Sequence, residues 1–511
     1  MKQQLDDILS SYNLVSVVDF PTRSHHGCES LIDNIFIDPS QYKNYSVHSI
    51  VNGLSDHDGQ LLIIKNMGKQ YYNQSRITLR NINNYSMFEF KINLSYEAWE
   101  DTFNSEDVDI GFNTFLNTYL RVFYTSFPLK KITRDKFKNN NWITTGIKVS
   151  CQHKRELYLH CRNHKDNNLK KHYNLYCRTL TEVIKAAKKL NYDRLITNSS
   201  NKMVMAWKIV KTITGKKSDN RLLQFIDAYN SETPREKRSD IADVFQNYFL
   251  SVVDKIRSNI NRNDIPDKNC MDYLFKAFKK PFPKLDLKRT STKEIAKIIK
   301  DLKPKNSSGY DEISLKILKI SSPYIVAPLN YICNRVILSG KFPSRLKYSI
   351  IKPIYKKGDK KDIKNYRPIS LLTSFSKIFE KVILARLLEH VVNNNILSTD
   401  QFGFRSNSST QKAIFTLLKY ILQAWNSKSV VGGIFCDLEK AFDSVNHDIL
   451  LKKLEFYGIT GSANLLMKSY LKDRYQRVLI EENSVKVKRT SEWGKIKHGV
   501  PQGSILGPLL F

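Results

Sequence analysis

The stretch "VVGGIFCDLEKAFDSVNHDILLKKLEFYGI", residues 430–459, constrains the fold more than any other. Its first part, "VVGGIFCDL", is a continuous apolar run approached through two glycines and reads as a buried strand. Its last part, "HDILLKKLEFYG", reads as a helix capped near Asn446 and ended by Gly458. Asp437 then stands at the end of a buried strand, where a carboxylate must be paired, hydrogen-bonded or bound to a metal. Mg²⁺ accepts one or two protein carboxylates together with substrate phosphates, the arrangement that phosphoryl transfer requires. The plain alternative is a strand-end aspartate capping the next turn, and periodicity leaves both readings open.

Charge narrows the partners. The chain holds 82 Lys and Arg against 49 Asp and Glu, a net of +33 over 511 residues. Such an excess suits a polyanion, since neutralising phosphates drives nucleic-acid binding. An acidic membrane is the competing polyanion, but there is no amphipathic basic anchor and no lipidation motif. No apolar run approaches the roughly 18 residues of a membrane helix, so no membrane partner is expected. The first residues lack the uninterrupted apolar stretch of a signal peptide. Seven scattered cysteines point to a reducing compartment rather than a disulfide framework. A hydrophobic content of 41%, with 11% aromatics, is enough to bury real cores.

Along the chain, residues 1–66 read as short strands and turns, "LVSVVDF", "LIDNIFID", "VHSIV" and "LLIIK", too little material for an independent core. The segment from Ser95 to Phe127 carries Trp99, Phe103, Phe112, Phe115, Leu116 and Leu120 at helical spacing. From Lys148 to Lys217 the chain has 17 Lys and Arg against 4 Asp and Glu, a difference of +13. Long helices are expected there, with Gly215 as a C-cap, and either a solvated face or a nucleic-acid contact explains the charge. Cys151, His153, His160, Cys161, His164, His172 and Cys177 fall in the same stretch. Their spacing fits no paired zinc pattern, and chance enrichment is the better reading. "IADVFQNYFLSVVDKI" is a further helix, and Ser291-Thr292 with Glu294 opens another that ends before Pro304.

"SIIKPIYKKGDKKDIKNYRPISLL", 349–372, reads as a strand, a basic turn around Gly358-Asp359, and a second strand. Lys356 and Arg367 on such a hairpin can converge on a triphosphate, Arg as a planar fork and Lys as a point charge. A solvated hairpin tip is the bland alternative. Four segments in order, "NYRPISLL", "QFGFRSNSST", "FCDLEKAFDSVNH" and "HGVPQGSILGP", resemble successive motifs of the reverse transcriptases of non-LTR, LINE-like and jockey-type retrotransposons. The resemblance covers about residues 291–511 and implies a right-hand polymerase using Mg²⁺ or Mn²⁺, an RNA template, a DNA target or primer, and deoxynucleoside triphosphates. On it, Asp437 matches the first metal-binding aspartate, and Leu438 would offer its backbone carbonyl to the metal. Phe442 matches the aromatic gate against a ribose 2′-hydroxyl. Lys356 and Arg367 match the pair that grips the triphosphate, and Gln502 and Gly503 the turn lining the nucleotide and template pocket. Asp443 and Asp448 are read as capping the turn and the helix. The family's Ala-Asp-Asp hairpin, which completes the metal site, has no match in the sequence, so the expectation is a chain truncated at both ends that does not polymerise by itself.

At the other end, "FPTRSHHGCESLIDNIFID" and "GLSDHDGQLLII" resemble the carboxyl-terminal part of an endonuclease/exonuclease/phosphatase domain. By that resemblance His57 faces the scissile phosphate, Asp33 orients it, and Asp56 helps position metal or water. The expected class is therefore multidomain α/β and α+β. Residues 1–66 are the remnant of that sandwich and 67–290 a mainly helical linker, basic over 148–217. Residues 291–511 are the fingers and incomplete palm of a reverse transcriptase. The function implied is RNA-directed DNA polymerisation with an associated DNA-nicking endonuclease, in the nucleus and cytoplasm. A non-enzymatic nucleic-acid-binding remnant is the alternative. An intron-type maturase is the weaker third, because of the endonuclease-like segment ahead of the polymerase.

Overall fold

A computed structural model of the chain describes residues 2–25, 28–51, 53–65, 77–132, 142–164, 166–199, 201–214, 240–258, 270–278, 281–482 and 487–511. The chain divides into two units, one of Met1–Ser75 with Thr133–Asp219, the other of Arg76–Ile132 with Asn220–Phe511. Residues 76–132, inside the segment read as linker, thus pack with the polymerase-like half, and the basic helices pack with the amino-terminal segment.

The first unit begins with a helix, Lys2–Ser11, where only strands and turns were expected. Its strands form two-stranded antiparallel ladders: Val15–Ser16 with Phe36–Ile37, Arg23–His25 with Cys28–Ser30, and Tyr45–Ile50 with Gly59–Ile64. The basic region folds as helices Thr145–Asn163, Asn167–Thr197 and Lys202–Ile213. Each starts on a polar cap: Thr144 accepts from the Ile147 N–H, Asp166 from Asn168, and Asn201 from Val204. Lys170, Lys171, Lys188 and Lys189 are exposed on the 31-residue middle helix. Gly215 lies outside the described residues.

In the second unit the aromatic spacing becomes helix Val108–Ser126, which buries Phe112, Phe115, Tyr119 and Phe123. Phe375, from helix Ser374–Asn393, inserts edge-on among them, 5.4 Å from Phe115 and 5.1 Å from Tyr119 between ring centroids. Helix Thr292–Asp301 starts where expected, the Ser291 hydroxyl accepting from the Glu294 N–H at 3.2 Å. Arg386 on Ser374–Asn393 donates to both Glu294 oxygens and holds that carboxyl below its ordinary range. Helix Leu315–Ser339 ends at Gly340 in a left-handed conformation.

The basic hairpin forms as read. Tyr348–Tyr355 pairs antiparallel with Tyr366–Leu371, placing Arg367 opposite Ile354. Strand Arg474–Glu482 runs parallel to Tyr348–Tyr355 and pairs antiparallel with Val487–Thr490 and Gly494–Ile496. Helix Ile241–Ser258 covers this sheet, packing Phe245 and Phe249 against Ile351, Tyr366 and Val478.

Replacing Phe375 by Ala removes the ring shared by the aromatic helix and the hairpin-following helix. The expected loss is about 3–5 kcal/mol. Denaturant unfolding followed by Trp99 fluorescence reads it, since that indole lies 5.0 Å from Phe115.

Candidate functional site

The turn between Gly499 and Leu506 is fixed from three sides. The Ser370 N–H donates to the Gln502 carbonyl at 2.8 Å, joining the turn to the hairpin strand that carries Arg367. The Val500 and Gly499 N–H groups donate to the carbonyls of Phe442 and Val445, each at 2.8 Å. Glu380, fully buried on helix Ser374–Asn393, accepts from the Ile505 N–H at 2.6 Å and from Leu506 at 3.3 Å. Its other oxygen takes the Ser376 hydroxyl at 2.8 Å. Burial holds the Glu380 carboxyl above its ordinary range, against the Arg474 charge and these donors. Gly503 has φ +115°, and a Cβ there would sit 2.8 Å from the Ser370 carbonyl oxygen, so glycine is required.

Gln502 is oriented by Asp443. Its amide nitrogen lies 3.1 Å from each carboxylate oxygen, which turns its carbonyl oxygen away from Asp443. This corrects the reading of Asp443 as a turn cap. The turn closes instead on the Lys440 carbonyl, which accepts from the N–H groups of Asp443 and Ser444 at 2.9 and 3.0 Å. Burial pushes the Asp443 carboxyl up to about 6, opposed by the Gln502 amide and the Lys440 charge. The helix cap is Asn446, whose side chain accepts from Asp448 and Ile449, and Asp448 lies in the first turn of His447–Phe456.

Lys356 and Arg367 are exposed on the hairpin, brought close by the Lys356 N–H donating to Asn365 at 2.8 Å. Lys440 sits at the same hairpin and was not singled out in the sequence. Burial lowers its pKa first; the Asp443 and Glu439 charges oppose this, and those of Lys356 and Arg367 add to it. Phe442 is half-buried between rings, stacked on Phe511 at 5.0 Å and edge-on to Phe404 at 6.1 Å.

Asp437 departs from expectation. Residues 430–438 form no strand and are exposed, Ile434 at 94% and Phe435 at 89%. A doubly apolar strand needs ladder partners on its edges, and no described strand pairs with this segment. Asp437 and Leu438 therefore lie on exposed coil. Among the described residues no group of three or more His, Cys, Asp or Glu side chains is placed to hold a metal ion. A single exposed carboxylate does not fit the two-ion centre that nucleotidyl transfer uses.

In the first unit, His57 and Asp33 do come together, with Nδ1 2.6 Å from the carboxylate. Nδ1 then carries the proton, and Nε2 is the acceptor of the neutral ring. Buried Thr22 sets the Asp33 backbone by accepting from the N–H groups of Ile32 and Asp33. Asp56 turns to Arg23, at 2.7 Å, which holds its carboxyl below the ordinary range. Asp58 is gripped at 2.8 and 2.9 Å by both terminal nitrogens of Arg162, a residue of the basic helices that the sequence reading passed over.

Asp443 gives a pH signature. Its folded value of about 6 exceeds the ordinary 3.8, so the folded state binds the proton more tightly. That stabilisation is complete below the ordinary value and is lost as pH rises through the folded one. Asp443→Asn should flatten unfolding free energy against pH across this window by about 1–3 kcal/mol. Glu380→Ala should cost about 1–3 kcal/mol and raise hydrogen exchange at Ile505 and Leu506, whereas Glu380→Gln keeps an acceptor there.

Comparison with known proteins shows what this region resembles. A family model described as "Reverse transcriptase (RNA-dependent DNA polymerase)" matches residues 354–511. The chain is 37% identical over 234 residues to the probable RNA-directed DNA polymerase from transposon BS of Drosophila melanogaster, covering 44% of this chain and 24% of that protein. It is 32% identical over 253 residues to the RNA-directed DNA polymerase from mobile element jockey of Drosophila melanogaster, covering 49% and 26%. Against the jockey polymerase of Drosophila funebris the identity is 26% over 339 residues, covering 65% and 35%. The chain thus spans about a quarter to a third of the length of these curated relatives. With the four ordered motifs falling in that shared region, residues 354–511 are similar to the reverse transcriptase domains of non-LTR retrotransposons.

Proposed function

We propose that the second unit is the polymerase part of an RNA-directed DNA polymerase, taking an RNA template, a DNA primer and deoxynucleoside triphosphates. One observation carries this reading: the bond from the Ser370 N–H to the Gln502 carbonyl. It makes the strand bearing Arg367 and the turn bearing Gln502 and Gly503 one rigid piece, so a triphosphate grip and a base-side turn keep a fixed separation. Lys356 and Arg367 take the phosphates, and Phe442 stands against the sugar edge. The hairpin and the helices around Phe375 serve as fingers, with the palm beginning near Asp437.

A divalent ion, Mg²⁺ or Mn²⁺, supplies Lewis-acid stabilisation of the transferring phosphoryl group when bound to such an enzyme. Asp437 and the Leu438 carbonyl are the donors the resemblance assigns, and among the described residues no group of three or more His, Cys, Asp or Glu joins them into a two-ion centre. What the chain's own residues do is bind and orient. The first unit adds a nicking function to the reading: Nε2 of His57, with Asp33 behind it, is poised to take or give a proton at a scissile phosphate. A second reading, nucleic-acid binding without turnover, is favoured by the exposed lysines of helix Asn167–Thr197. Both readings place the protein with chromosomal DNA and element RNA, in nucleus and cytoplasm.

Primer extension on an RNA template, run beside a binding assay in EDTA, separates them. The expected result is primer–template binding that falls by about 10³-fold or more from roughly 50 to 200 mM salt, with extension no greater than that of Asp437→Ala. Template-dependent extension abolished by Asp437→Ala would show that these residues complete the metal site. No binding at low salt would sink both readings.

A further inference from the structure

The hairpin that carries Lys356 and Arg367 receives a third cation from elsewhere in the chain. Lys440 follows Asp437 in sequence but reaches across to the hairpin, its Nζ 3.4 Å from the Lys364 carbonyl oxygen. Lys364 is three residues before Arg367, and the adjacent Asn365 carbonyl is the one that binds the Lys356 N–H. The ammonium therefore sits at the mouth of the hairpin, beside the residues that flank both other cations. Its ammonium also lies over the Tyr248 ring on helix Ile241–Ser258, 5.6 Å from Nζ to the centroid.

Two features mark the position of Lys440. Lys440 adopts φ +48°, a left-handed conformation that a long side chain rarely takes, and such strain persists where the surroundings impose it. The two N–H groups that bind its carbonyl, from Asp443 and Ser444, impose it here. The hairpin 349–372 carries seven Lys and Arg against Asp359 and Asp362, and the Lys356 and Arg367 charges repel Lys440, opposed by the pull of Asp443 and Glu439 on its own turn. An oligophosphate relieves this repulsion. A lone surface lysine gains nothing from so constrained a position.

We propose that Lys440 is a third phosphate-binding cation, joining Lys356 and Arg367 at the hairpin mouth on the triphosphate of an incoming nucleotide. The proposal rests on the nucleotide-grip reading of the hairpin. Lys440 also ties the grip to the Gln502 turn, because its own backbone carbonyl anchors the Asp443 turn that orients Gln502.

The test is binding of dATP to the whole chain in EDTA at fixed salt, with deoxyadenosine and tripolyphosphate as the other two probes. Lys440→Gln should weaken dATP and tripolyphosphate by about 10-fold and leave deoxyadenosine unchanged. Lys440→Arg should stay within about 3-fold of the unsubstituted chain, and Lys356→Gln and Arg367→Gln should each weaken both phosphate probes. Lys297→Gln, on the exposed face of helix Thr292–Asp301, controls for the general basic surface. If Lys440→Gln leaves dATP affinity unchanged while the hairpin variants lose it, Lys440 is not part of the grip. Equal weakening of dATP and deoxyadenosine by Lys440→Gln would assign it a structural role and overturn the proposal. If none of the three variants weakens dATP, the nucleotide-grip reading of the hairpin falls, and the role of Lys440 falls with it.

Discussion

The buried carboxylate of Glu380 is the interaction on which the rest of the polymerase-like unit depends. Removing a carboxylate completely from water is expensive unless donors replace the water. Here the donors are the backbone N–H groups of Ile505 and Leu506 and the Ser376 hydroxyl. That choice of partners converts a desolvation penalty into a positional constraint. The turn after Pro501 cannot shift without leaving a buried carboxyl group unpaired in an apolar core. Ser370 and Asp443 then act on a turn already fixed at its far end, and so the side chain of Gln502 has one orientation.

Electrostatics elsewhere in the chain follow the same logic of charges held by geometry. In the first unit, Arg162 closes a bidentate pair on Asp58, one residue from His57, while Asp33 holds the imidazole from the other side. Helix Thr145–Asn163 thereby fastens the loop that carries the histidine, and helix Asn167–Thr197, packed against it, presents lysines outward. In the second unit, one hairpin, residues 349–372, carries seven Lys and Arg against two Asp. A net of +33 is a statement about partners, and only the placement of particular cations makes it one about a site.

The exposed segment 430–438 shows where apolar content and secondary structure separate. Periodicity recognises that "VVGGIFCDL" is suited to a sheet interior, but strand geometry exists only with ladder partners. Helix Thr410–Asn426 beside it in sequence tells the same story, with Phe415 and Trp425 exposed at 69% and 75%. Asp437 shares that environment, which is why the residue most prominent in the sequence is the least organised in the fold.

What the sequence by itself determined was local or carried by ordered motifs. The caps at Ser291 and Asn446, the hairpin 349–372 and the aromatic face of Val108–Ser126 were legible because they depend on neighbours within a few residues. The likeness to reverse transcriptases was legible because four motifs occur in order, and the Asp33–His57 pair through a resemblance of the same kind. The tertiary structure alone decided the partners of Glu380, Asp443, Lys440 and Arg162, which lie 125, 59, 76 and 104 residues away in the chain. Propensity and spacing act over one or two turns, whereas a buried carboxylate or a bridging lysine is defined by whatever the fold brings against it. The same limit explains the failed strand, since a ladder is a property of two segments and the sequence of one does not contain it.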